Sequence, residues 1–157
     1  MVILALGLAC DAGAGDDSGI GSVESGESWV AVGQGLDSAL LAVWGTAWDD
    51  VWVVGADSGS GGVFLHFDGA TWTRAADLGA GDAWWVDGTA ESVWISGAGG
   101  RLFRYDIATE TLVSEVVDPA LVVYGVWAAS DTDVWAAAGD PGATSDAAAI
   151  FHYDGNA

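Results

Sequence analysis

The chain contains no lysine, and its only cations are Arg74, Arg101 and Arg104; against 23 acidic residues they leave a formal net charge of -20 over 157 residues. Charge-driven binding of nucleic-acid phosphate or of an anionic bilayer needs clustered Lys and Arg, so this composition argues against both partners. There is one cysteine, Cys10, which excludes an internal disulfide and any multi-thiolate metal site. Helical periodicity is also missing, and 24 glycines argue against long helices. What is present is a 52% hydrophobic content with ten tryptophans, enough to build a core over one domain's length. Many short strands joined by glycine turns fit this composition. The acidic excess fits the solubility needs of an extracellular or surface protein, with calcium or another cation as the secondary reading.

The N-terminal stretch divides into two parts. Residues 1–10, "MVILALGLAC", form an apolar run that ends in small residues and Cys10. This segment resembles the hydrophobic region and lipobox of a bacterial lipoprotein signal peptide. The resemblance implies cleavage before Cys10 and a diacylglycerol on its thiol, hence a lipid-anchored protein of the cell envelope or extracellular face. It departs from the pattern in the position of Leu6, four residues before the cysteine, and in lacking a preceding basic segment. That departure suggests that Met1 is a late start. The competing reading makes Val2 to Ala9 a buried strand and Cys10 a small core residue. Residues 11–27 are Gly, Ser, Ala and acid, a composition that cannot bury enough apolar area to order itself, and read as a flexible linker.

Residues 28–157 are repetitive. The pairs Val51-Trp52, Val93-Trp94 and Val134-Trp135 recur at intervals of 42 and 41 residues. Such a period, without helical patterning, is the length of one four-stranded propeller blade. Three units follow, at about 39–76, 82–117 and 121–157. Each opens with an apolar run, turns, continues into the Val-Trp strand, passes a glycine-rich loop and enters an alternating strand such as "VFLHFDG" or "RLFRYD". Asp68-Gly69 between two extended runs predicts a hairpin with a type I′ turn. The first two strands of each unit are nearly continuous in apolar residues, the pattern of strands covered on both faces.

The stretch "VWISGAGGRLFRYD" resembles the repeat of two-component-regulator-type bacterial β-propellers, and the whole unit is similar to repeats in large bacterial surface lipoproteins. The resemblance covers about residues 28–157 and implies a fold: all-β, a partial β-propeller of about three four-stranded antiparallel blades, belonging to a larger ring. "FDGATW" also resembles the Asp-box of sialidase-type propellers but lacks one residue between Asp and Gly, and Arg101 and Arg104 point to opposite faces of a strand. Two readings of the ends follow. "SWVAV" around Trp29 is expected to be the last strand of a blade, either in a chain continuing into more blades or as the strand that locks a ring.

The functional residues are weighed against packing. Trp44, Trp85 and Trp127 share one repeat position and Trp52, Trp94 and Trp135 another, so all six are expected in the core between blades. Trp48 lies in a turn and is the candidate exposed aromatic. His66 and His152 occupy one place in their units and Arg104 takes it in the second; together with Trp48 they are the candidate surface contacts. Asp49, Asp50, Asp131 and Asp133 precede the Val-Trp strands, where an Asp side chain caps its own turn; calcium is the alternative. No nucleophile, acid–base pair or phosphate loop is visible, so no catalytic or metal-ligating residue is assigned. The expectation is a surface-anchored binding or scaffold module for a protein or glycan ligand, without catalysis of its own, touching a membrane only through its lipid. The alternative is a piece of a secreted propeller enzyme acting on glycans.

Overall fold

The apolar, glycine-punctuated runs become eleven short strands, and no helix occurs among the described residues. The computed structural model describes residues 29–36, 38–140, 142 and 147–156. The signal-like segment with Cys10 and the acidic linker lie outside them.

Strands β1 (Leu40–Ala47), β2 (Asp50–Gly55), β3 (Val63–Phe67) and β4 (Trp72–Arg74) pair in chain order as an antiparallel meander, sheet 1. Strands β5 (Ala83–Gly88), β6 (Ser92–Gly97), β7 (Arg101–Asp106) and β8 (Thr111–Val116) repeat it as sheet 2. Strands β9 (Val122–Ser130), β10 (Asp133–Gly139) and β11 (Ala148–Tyr153) form sheet 3, which has three strands among the described residues where four were expected. The architecture is all-β, a partial propeller of three antiparallel blades.

The β3–β4 hairpin forms where Asp68-Gly69 predicted it, with a different turn. Phe67 pairs with Trp72, so the loop is four residues long. Gly69 has φ 88°, but Asp68 does not join it at positive φ. Instead the Asp68 carboxylate accepts the backbone N–H groups of Ala70 and Thr71 at 2.9 and 2.8 Å. An Asp able to satisfy two turn donors removes the need for the left-handed pair of a type I′ turn. Trp29 to Val32, expected as a strand, are irregular and exposed.

Cross-strand partners share a face, and this gives every sheet two unlike sides. Trp44, Trp52 and His66 form a row on one side of sheet 1, and Trp127, Trp135 and His152 form the same row in sheet 3. In sheet 2 the row is Asp87, Trp94 and Arg104. The opposite side carries Val43, Val53 and Leu65 in sheet 1, Val86, Ile95 and Phe103 in sheet 2, and Val126, Ala136 and Phe151 in sheet 3. The tryptophan face of sheet 1 packs on the aliphatic face of sheet 2, burying Trp52, Val54 and Phe64 against Val86, Val93, Ile95 and Tyr105. The tryptophan face of sheet 2 packs in turn on the aliphatic face of sheet 3, where Trp94 meets Val126 and Val134. Each large side chain removed from water in this way contributes about 1.5–3 kcal/mol.

The stacking corrects the expectation for the six tryptophans. Trp52 and Trp94 are 2% and 7% exposed, but Trp135, at the same ladder position, is 41% exposed because no sheet covers the tryptophan face of sheet 3 among the described residues. Trp44 is half-buried, whereas Trp127 and Trp85 are exposed. Coverage on both faces likewise holds fully for β6, whose six residues are all buried, while β10 alternates.

Trp85 differs for a second reason. The first strand of each sheet carries a register shift that leaves Leu41, Trp84 and Tyr124 without ladder partners. Sheets 1 and 3 carry a second shift near the turn, at Thr46 and Ala129, that sheet 2 lacks, so Trp85 pairs with Ser96 and Asp87 stands opposite Trp94 where Trp44 stands opposite Trp52. A bulge inserts one residue and shifts the side chains beyond it. The residue facing the second-strand tryptophan therefore lies eight positions before it in sheets 1 and 3 and seven in sheet 2, and Trp85, nine before Trp94, falls outside the row.

Candidate functional site

The recurring chemical feature is a three-residue cluster on the tryptophan face. In sheet 1 the Trp52 indole N–H donates to Asp50 Oδ1 at 3.0 Å, and His66 Nε2 lies 2.8 Å from the same oxygen. The imidazole stacks on the indole with centroids 3.9 Å apart and planes 16° from parallel. Sheet 3 rebuilds this unit from Asp133, Trp135 and His152, with contacts of 2.9 and 2.8 Å and stacked rings 4.0 Å apart. Strand geometry explains the cluster. Asp and Trp two residues apart project to the same side, and the antiparallel partner of the Trp brings the His beside both.

Sheet 2 keeps the positions and changes the chemistry. Ser92 replaces the Asp and accepts from Arg104 Nε at 3.1 Å, while the guanidinium lies 5.5 Å from the Trp94 ring centroid. The Trp94 indole N–H and the Ser96 hydroxyl are buried without a partner. The middle sheet thus uses a cation–π contact where its neighbours use a carboxylate and an imidazole.

Of the residues singled out from sequence, His66, Arg104 and His152 occupy equivalent places as expected, and each is engaged with its own tryptophan. Trp48 lies exposed in the β1–β2 turn. The four turn acids do not converge. Asp50 and Asp133 serve as indole acceptors two residues on, and Asp131 accepts from Thr89 Oγ1 at 2.9 Å, linking the turns of sheets 2 and 3. The role of Asp50 and Asp133 was missed. The signal was present in the shared "DVW" followed by a His in the third strand, which neither residue reveals alone.

Hydrogen bonding sets the ionisation of these acids. Burial opposes the Asp50 charge, but hydrogen bonds from Thr46, His66 and Trp52 outweigh it and hold the carboxyl below its ordinary 3.8. Burial likewise opposes the Asp131 charge, and Thr89, Ser92 and Glu91 overcome it. The hydrogen bond to Asp131 and its charge push the Glu91 carboxyl up from its ordinary value.

The other polar groups tie loops together. Asp57, in the β2–β3 loop, accepts from the N–H groups of Gly59, Gly61 and Gly81, and its own N–H donates to Asp82. Arg101 donates to the carbonyls of Leu78, Ala80 and Ala98, and Arg74 to that of Gly62. All three arginines are thereby used within the fold. Among the described residues no three His, Cys, Asp or Glu side chains stand together as a metal site.

Two concave regions remain. One, of about 340 Å³, lies between sheets 2 and 3 beside Arg104, Val113, Glu115 and Tyr153. The other is an open concavity of about 710 Å³ along the first strands, bordered by Val43, Trp85, Tyr124, Trp127, Trp135 and Ile150. Trp84, beside it, is half-buried with its ring edge-on to Tyr124 at 5.7 Å. No protein-family model matches the chain, and no curated protein matches it.

Proposed function

We propose that the chain is a binding or scaffold module of the cell envelope, held by lipid on Cys10 and presenting its blades to a protein or glycan partner without catalysing a reaction. The observation that supports this reading most directly is the engagement of its reactive side chains. His66, His152 and the three arginines are committed to contacts within the fold. The surface left over is aromatic and acidic. Trp48, Trp85, Trp127 and Tyr124 offer exposed rings of the kind that stack on sugar faces or on apolar side chains of a partner. A net charge of -20 selects against anionic ligands.

The test combines address and activity. Envelope fractionation with mass analysis of the N-terminal peptide should find diacylglycerol on Cys10, and an unmodified cytoplasmic chain would refute the anchor. Incubation with neutral glycans and envelope proteins should give retention without turnover, weakened about tenfold by Trp85→Ala. Hydrolysis of a glycan by the purified chain would overturn the non-catalytic reading.

A further inference from the structure

We infer that the tryptophan face of sheet 3 is a docking surface for a second copy of this chain, which covers it with the aliphatic face of its own sheet 1. The inference rests on the scaffold reading and names a partner for it. Its basis is an interface that the molecule already builds twice.

Between sheets 1 and 2, Trp52 lies 5.5 Å from Tyr105, and Phe64 meets the same ring edge-on at 5.4 Å. Between sheets 2 and 3, Trp94 lies 5.5 Å from Tyr153. Trp135 holds the ladder position of Trp52 and Trp94, and Ile150 holds that of the buried Phe64, yet Ile150 is 76% exposed. The other half of the interface is open along the first strand, although Val53 at its centre is buried. Val43 holds the position of the buried Val86 and Val126 and is 68% exposed. Phe67 holds the position of Tyr105 and Tyr153, the rings that receive a tryptophan in the two interfaces already formed.

Among the described residues each copy therefore carries one uncovered tryptophan face and an aliphatic face with an exposed valine on its first strand. The surface known to fit the former is the aliphatic side of another sheet of this same chain. Docking sets Trp135 of one copy against Phe67 of the next, and Ile150 beside the ring it meets there, with Val43 buried at the seam. The contact is head-to-tail, using unlike surfaces on the two copies.

Sedimentation velocity of the purified 157-residue chain over about 1–100 μM reads the result directly. The weight-average mass should climb from 15.9 kDa to at least twice that value. Ile150→Asp and Val43→Asp should each raise the half-association concentration at least about tenfold, because each puts a charge into an apolar seam. Both sites are exposed within one chain, so unchanged circular dichroism should accompany the loss. Mixing the two variants should restore association, since the intact sheet 1 of one can receive the intact sheet 3 of the other. A chain that stays monomeric throughout would overturn the inference, as would association that neither substitution weakens. Loss with Ile150→Asp alone would also overturn it, by showing that sheet 3 pairs with itself. A monomer that still carries its lipid and holds its partner sinks only this inference, whereas glycan hydrolysis by an associating chain sinks only the reading of function.

Discussion

Sheets 1 and 3 carry the same cluster in different settings. Trp52 and Trp135 each donate to an Asp two residues earlier and each stack on a His, at distances that agree within 0.1 Å. One indole is sealed under Tyr105 and the other faces solvent. The hydrogen-bonded cluster is therefore a property of the strand pair, and burial is added by the neighbouring sheet. The aliphatic faces repeat the lesson, since Val86 and Val126 are covered and Val43 is not.

This comparison predicts unequal responses to equal substitutions. Trp52→Ala should cost about 3–5 kcal/mol in chemical unfolding, the range for a large aromatic removed from a packed core. Trp135→Ala, measured at concentrations where the chain is monomeric, should cost about 1 kcal/mol or less. Equal losses would mean that the cluster, rather than the sheet stacking, carries the energy.

Glycines sharpen the same contrast at smaller scale. A Cβ on Gly88 would stand 2.6 Å from the Ser92 carbonyl oxygen and 2.9 Å from the Trp44 ring of the adjoining sheet, so Gly88→Ala should cost about 1–3 kcal/mol. Gly125, on the uncovered face of sheet 3, has no neighbour within 4 Å of the place a Cβ would take, and Gly125→Ala should be neutral or stabilise by about 0.5 kcal/mol. Thermal melts of the two variants should move in opposite directions or leave the second unchanged.

The pH-dependent effect belongs to Asp50. Its folded-state carboxyl is held below 3.8, so its contribution is complete above that value and fades as the pH falls through the lowered one. Asp50→Asn should cost about 1 kcal/mol at pH 7, and the difference from the parent chain should shrink below about pH 4, where the parent's Asp50 is itself protonated. A gap that stays constant from pH 7 to about pH 3 would show that the carboxylate charge contributes nothing.

Much of this was legible in the chain. The interval between Val-Trp pairs marked three meanders, and the strands fell inside the marked units. The equivalence of His66, Arg104 and His152 was visible in their shared place after each glycine loop. The turn at Asp68 was placed correctly, but its type was not, because a side-chain acceptor substituted for backbone conformation. Trp85 lies nine residues before Trp94 where Trp44 and Trp127 lie eight before theirs, an offset that the missing second bulge of sheet 2 widens. The acceptor role of Asp50 needs a third-strand histidine that its own turn does not show.

The sequence by itself determined the all-β class, the three-unit meander and the near absence of cationic surface, since these follow from composition, period and local pairing. Only the tertiary structure decided which tryptophans are core and which are surface. That choice depends on the stacking of one sheet on the next, and identical side chains acquire opposite environments according to whether a neighbouring sheet removes them from water.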